Sequence, residues 1–294
     1  MGKAERRMSI GILALLALVA ALYFYQSFAA SREAEVYGVS VILCAEGDNF
    51  QKGFNGAALE DNADVHVVSV SDPDSAAQTT ALERELKNGA DAVILYRADA
   101  NNLGAWLAKN NVSAPLVLVG EETPSGKGAS CVTLDVAAQA QALAAEMGKQ
   151  PLRSVILVDG GGGSAPRLAA LRKALENAGF SWELVSAGDM DRLRPGCVYV
   201  ALDPSVALSL MELRGEGALV YCMGYDAALR GALESGRIAA LASASEFDAG
   251  YFAMTEAVAR IGGQRAAEVK LAPFIACSDN MYEPPISTIL FPIG

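Results

Sequence analysis

From Val36 onward the chain alternates two kinds of segment, and that alternation limits the folds open to it. Short, nearly continuous runs of Val, Ile and Leu recur as "VYGVSVILC", "VHVVSV", "DAVILY", "PLVLVG", "SCVTLD", "SVILVDG", "WELVS", "CVYVAL" and "ALVYCMG". Such runs, bounded by turn residues, read as strands buried on both faces. That burial belongs to parallel sheets covered by helices above and below. The stretches between them carry helical periodicity and predict helices over 49–61, 75–86, 102–109, 137–147, 165–178 and 205–213. Strand–helix–strand units of this kind cross over right-handed. A second series starts near Ser130, so the expected fold class is α/β, with two doubly wound parallel-sheet lobes. A chain of 294 residues is long enough for two separate cores.

In doubly wound sheets a ligand binds outside the carboxyl ends of the strands. The residues that follow the strands are therefore the candidate site. In the first series they are Asp48, Asn49 and Phe50, then Tyr96 and Arg97, then Glu121. In the second they are Asp135, the loop 160–167 ending in Arg167, Asp203, Asp226 and the small residues 243–245. The set is polar and acid-rich, with Phe50, Tyr96 and Tyr225 as aromatic faces, which suits a small polar ligand. Each Asp, Asn or Ser has a second reading as the N-cap of the helix it precedes. Both readings stay open for any single position.

Other chemistries find little support. The net charge of −11, with basic residues clustered only at Lys3, Arg6 and Arg7, argues against a nucleic-acid partner. Five cysteines lie scattered without CxxC spacing, and His66 is the single histidine, so no metal site is expected. Cys44, Cys197 and Cys222, in apolar runs, read as buried free thiols, and the sequence leaves a disulfide open as the other reading. "ILVDGGGGSAPR" fits G-x-G-x-x-A at Gly160, Gly162 and Ala165, but "WELVSAG" lacks the acidic residue a dinucleotide site needs at its end. No cofactor is expected; the glycines instead let the backbone approach a ligand. His66 sits inside a strand and no G-x-S-x-G elbow occurs, so the chain does not read as an enzyme.

The N-terminus carries a different signal. A basic segment precedes an uncharged, mainly apolar run over 8–25. Its length is close to the ~18–20 residues that cross a bilayer and exceeds the ~7–15 of a signal-peptide core. Tyr23, Phe24 and Tyr25 suit a headgroup boundary. Residues 1–30 are expected to act as a membrane anchor or, if cut near Ser27-Phe28-Ala29, as a signal segment. Either way the rest of the chain is placed outside the cytoplasm.

Three stretches together resemble the type 1 periplasmic binding protein family, the ribose- and galactose-binding-like proteins. They are "YGVSVILCAEGDNFQKGFNGA", "MGYDAALRGALESGRIAALASASEFDAGYFAMTEAVARIGG" and the tail "SDNMYEPPISTILFP". The resemblance implies two lobes joined by a three-crossover hinge. Residues 36–134 with 245–273 would form the N-terminal lobe, and 135–244 with 274–294 the C-terminal lobe. It implies a sugar-like ligand between them and a partner that is an ABC transporter permease or a sensor kinase. By position Phe50 matches a ring-stacking aromatic, Arg167 an arginine holding ligand hydroxyls, and Asp226 an aspartate accepting hydrogen bonds from them. Three places depart from the family pattern. Gly120 and Glu121 stand where an acidic–basic pair is common, Leu202 precedes Asp203 where Asn is common, and Ala244 replaces a usual Gln. A degenerate, non-binding relative is the remaining alternative.

Overall fold

The first long apolar run, "YGVSVIL", forms a strand whose last five residues are all buried. The computed structural model describes residue 19 and, across 36–291, every residue except 45–46, 71–74, 98–99, 111, 113, 122–127, 152, 162–164, 187, 190–196 and 215–218. The expected N-terminal membrane or signal segment lies outside the described residues, apart from Val19. Among the described residues no helix is long and apolar enough to cross a membrane.

The first half of the fold runs β1 (Tyr37–Leu43), α1 (Asp48–Glu60), β2 (Ala63–Ser69), α2 (Ser75–Lys87), β3 (Ala92–Tyr96), α3 (Ala100–Lys109), β4 (Leu116–Gly120) and β5 (Ala129–Leu134). The second runs α4 (Val136–Met147), β6 (Ser154–Asp159), α5 (Ala165–Asn177), β7 (Ser181–Ser186), β8 (Val198–Ala201), α6 (Pro204–Arg214) and β9 (Leu219–Met223). A 3₁₀ turn (Ala227–Leu229), α7 (Arg230–Glu234), β10 (Ile238–Ala244), α8 (Glu246–Ile261), β11 (Glu268–Leu271), β12 (Pro273–Ala276) and α9 (Ile286–Leu290) complete it.

The strands make two six-stranded sheets, ordered β11-β5-β4-β3-β1-β2 and β12-β10-β9-β8-β6-β7. β1 pairs with β3 in parallel, and β3 with β4. β12 runs antiparallel to β10 at the edge of the second sheet. The central apolar runs are explained by burial on both faces, whereas β2 and β7, expected from sequence to be buried likewise, stand at sheet edges and are largely exposed. Ile94, Val117 and Val119 pack with Phe54 of α1 and Met254 of α8. Their neighbours Val93, Leu95 and Leu118 pack on the other face with Leu82 of α2 and Leu103 of α3. Each such side chain contributes roughly 1.5–3 kcal/mol by leaving water. The second sheet repeats the scheme: Tyr199 faces α6, while Val198 and Val200 face α4 and α5.

The chain passes between the sheets three times: β5 to α4, β10 to α8, and β11 to β12. α8 returns to the first sheet by lying directly on α1. A Cβ added to Gly53 would sit 2.0 Å from the Phe247 carbonyl oxygen, and one added to Gly250 would sit 2.1 Å from that of Phe50. Only glycine permits this backbone-to-backbone approach.

Candidate functional site

The candidate residues collect at the carboxyl ends of the strands, and two of them, Tyr96 and Glu121, are hydrogen-bonded to the arginines Arg97 and Arg167. Arg97 follows β3 with φ at +56°. That left-handed conformation costs a non-glycine residue on the order of 1–3 kcal/mol. It persists because the surroundings fix it: the backbone N–H donates to the Val119 carbonyl at 2.7 Å. The side chain donates from Nε to the Tyr96 hydroxyl at 3.0 Å and from Nη2 to Glu246 Oε1 at 2.7 Å. Tyr96 donates its own hydroxyl to the same Glu246 oxygen at 2.9 Å. Burial pushes the Tyr96 hydroxyl well above its ordinary pKa; Arg97 draws it down and Glu246 raises it further. It therefore stays a protonated donor at neutral pH.

Tyr96 and Phe50 are both fully buried, with ring centroids 4.0 Å apart and planes inclined by 15°. Phe54 meets Phe50 edge-on at 5.6 Å. This corrects the expectation that Phe50 and Tyr96 offer aromatic faces to a ligand. Gly47 makes room for the Tyr96 ring, since a Cβ there would lie 2.9 Å from ring carbon Cε1. Asp48 is exposed on the first turn of α1, and Asn49 beside it is half-buried.

The second arginine, Arg167, sits in the first turn of α5. Its Nη1 donates to the carbonyls of Leu202 at 2.9 Å and Met223 at 3.1 Å, the ends of β8 and β9. Its Nε donates to Glu121 Oε1 at 2.7 Å, and Nη2 binds the same oxygen. Glu121 follows β4 of the first sheet, so this ion pair joins the two sheets. The side chains are only 12% and 18% exposed. Gly224, at φ +94°, gives the guanidinium its space: a Cβ there would stand 3.0 Å from Nη1. Beside the pair opens a groove of about 280 Å³, lined by Glu121, Thr133 and Lys270 on one side and by Asp135, Val136 and Pro166 on the other.

The three remaining aspartates act as helix caps. Asp135 accepts from Ala138 N–H at 2.9 Å, and Asp203 from Val206 N–H at 3.0 Å and the Ser205 hydroxyl at 2.6 Å. Asp226 accepts from Ala228 N–H at 2.7 Å and is exposed. Tyr225, read from sequence as a third aromatic face, turns away. Its hydroxyl donates to the Leu290 carbonyl at 2.8 Å and accepts from Arg230 Nε at 2.6 Å. His66 lies 3.7 Å from the buried carboxylate of Glu85 and is 68% exposed. Among the described residues no two cysteines are joined in a disulfide; burial raises the pKa of the Cys44 thiol to about 12, which keeps it protonated.

No family model matches the chain, and no curated protein matches it in sequence. Solved structures match its fold. One is an ABC transporter solute-binding protein from Agrobacterium vitis bound with α-D-tagatopyranose. It is 15% identical, with 86% of this chain and 99% of that chain covered and a TM-score of 0.73. A carbohydrate transporter solute-binding protein from Agrobacterium radiobacter, in complex with D-arabinose, is 17% identical over 88% and 99%, with a TM-score of 0.72. The XylFII–LytSN complex matches at 14% identity over 84% and 99%, with a TM-score of 0.69. The fold is that of the type 1 periplasmic binding proteins.

Set in the type 1 periplasmic-binding fold, one residue at the strand ends escapes the sequence reading. Glu246 joins Arg97 and Tyr96 from 149 and 150 residues away. In sequence it looks like an ordinary acidic residue in a first helical turn, behind Ser245, which caps α8 by accepting from Asp248 N–H at 3.1 Å. Gly224 carries a signal that could have been found, a glycine directly after a buried strand and before an aromatic–Asp turn.

Proposed function

We propose that the chain is an extracytoplasmic solute-binding protein that captures a small polar ligand, a sugar or sugar derivative, between two lobes and delivers it to an ABC transporter permease. The observation that carries the reading is the Arg167–Glu121 pair, which brings strand ends of the two sheets to one polar locus. The neighbours solved with tagatopyranose and arabinose support a carbohydrate over other small polar molecules. Residues 36–134 with 245–273 form one lobe and 135–244 with 274–294 the other. Residues 1–30 hold the protein at the membrane, or release it if the segment is cut. Closure is a hinge motion at the three crossings, and the ligand shifts its populations.

With Phe50 and Tyr96 stacked on each other, recognition falls to polar groups. Charge-assisted hydrogen bonds donated by Arg167 and accepted by Asp203 and Asp226 hold ligand hydroxyls, each contributing about 1.5–3 kcal/mol. The site binds and does not turn its ligand over. A thermal-shift screen of neutral monosaccharides and polyols on the full chain tests this. A melting-temperature rise of several degrees with at least one sugar is expected, and no response to any at millimolar concentration would sink it. A second reading has its own support, because one fold neighbour is held in a complex with another protein. In that case the ligand-bound protein docks on a sensor kinase. Co-purification with a kinase rather than a permease decides for sensing.

A further inference from the structure

We infer that Glu121 is a built-in counter-ion for Arg167 that holds the two lobes together and reserves the guanidinium from anionic ligands. The inference rests on the two-lobe reading proposed above and adds a ligand class to it: neutral polyols rather than sugar acids. The guanidinium is anchored to one sheet by the carbonyls of Leu202 and Met223. Its Nε and Nη2 reach across to one oxygen of a carboxylate that belongs to the other sheet. Side chains exposed by only 12% and 18% are poorly screened by water and salt. A guanidinium so placed, with carbonyls alone for company, would be an uncompensated charge, and Glu121 removes that penalty. The charge of Arg167 is thus matched within the protein itself.

Two consequences follow from the geometry. A contact made only when the sheets meet raises the closed population of the ligand-free protein. A ligand carboxylate or phosphate finds Arg167 already neutralised and Glu121 repelling it, while a hydroxyl can share the pair as donor to Glu121 and acceptor from Arg167.

Hydrogen–deuterium exchange on the full-length chain, with no sugar present, reads the first consequence. In the series Glu121→Asp, Glu121→Gln and Glu121→Lys, amides at 202–207 and 224–229 should exchange progressively faster. The increase at Glu121→Gln should be on the order of tenfold, the shift that loss of one charge-assisted contact carries. Exchange at wild-type rates in the folded Gln and Lys variants overturns the closure, and Glu121→Asp supplies the same comparison if the others do not fold. Melting curves with D-galacturonate and D-galactose read the second. Galacturonate should stabilise Glu121→Gln and leave the wild type unmoved; equal stabilisation of both, or of neither, overturns the reservation of Arg167. The exchange result needs no ligand, so a failed sugar screen would overturn the proposed function while leaving the closure intact.

Discussion

Arg97 and Arg167 each place a guanidinium at strand ends facing a glutamate, yet they do different work. Arg97 joins Glu246 on α8, a helix that packs on the same sheet as β3. Its pair also includes the Tyr96 hydroxyl, so three side chains and a strained backbone form one rigid knot inside a single layer. Arg167 takes its glutamate from the opposite sheet. The first pair fixes where the chain re-enters its sheet. The second, on the proposed closure, is made and broken as the two lobes move. Ion pairs of similar composition thus become scaffold or switch according to whether both partners belong to the same body.

The comparison can be broken from either side. The largest effect is expected at the support of the knot. Gly250→Ala places a methyl carbon 2.1 Å from the Phe50 carbonyl oxygen, forcing α8 off α1. A loss of about 3 kcal/mol in urea denaturation is expected, and wild-type stability would show that the two helices are not in backbone contact. Arg167→Ala comes next. It leaves Glu121 and two strand-end carbonyls without their donor, costs roughly 2 kcal/mol, and should abolish any sugar-induced rise in melting temperature. A retained sugar response would remove Arg167 from the binding set. The smallest effect separates strain from charge at the other arginine. Arg97→Gly and Arg97→Ala lose the same ion pair, but glycine accepts φ +56° freely. The glycine variant should be the more stable by about 1 kcal/mol, and both should keep the sugar response of the wild type. Equal stabilities would mean that the backbone is not strained there.

The strands and helices are legible in sequence because each is a local pattern. "DAVILY" and "PLVLVG" form the two most enclosed strands of the first sheet, and the helix expected over 75–86 is Ser75–Lys87. The strand-end positions are legible too, since the fold class dictates them. What those residues do there is less so. Phe50 reads as a ligand platform until Tyr96, 46 positions along the chain, is found against its ring. Asp226 reads as a ligand acceptor, and the structure gives its carboxylate a capping role that the local sequence already allows. Glu121 looks like a departure from a family pattern, and its partner becomes visible only when two sheets are assembled. Pairings that depend on the relative placement of strand ends leave no periodicity for a sequence to carry.

The contact of Gly53 with the Phe247 carbonyl, and of Gly250 with that of Phe50, has a consequence for how this protein can diversify. Main-chain atoms set the spacing of α1 and α8, so trimming or enlarging a side chain cannot retune it. α1 starts where β1 ends, and α8 starts where the chain returns from the second sheet. The N-terminal ends of α1 and α8 are therefore held at a fixed spacing. On the proposed function, changes in ligand preference fall to the second sheet, where Arg167 reaches the ends of β8 and β9.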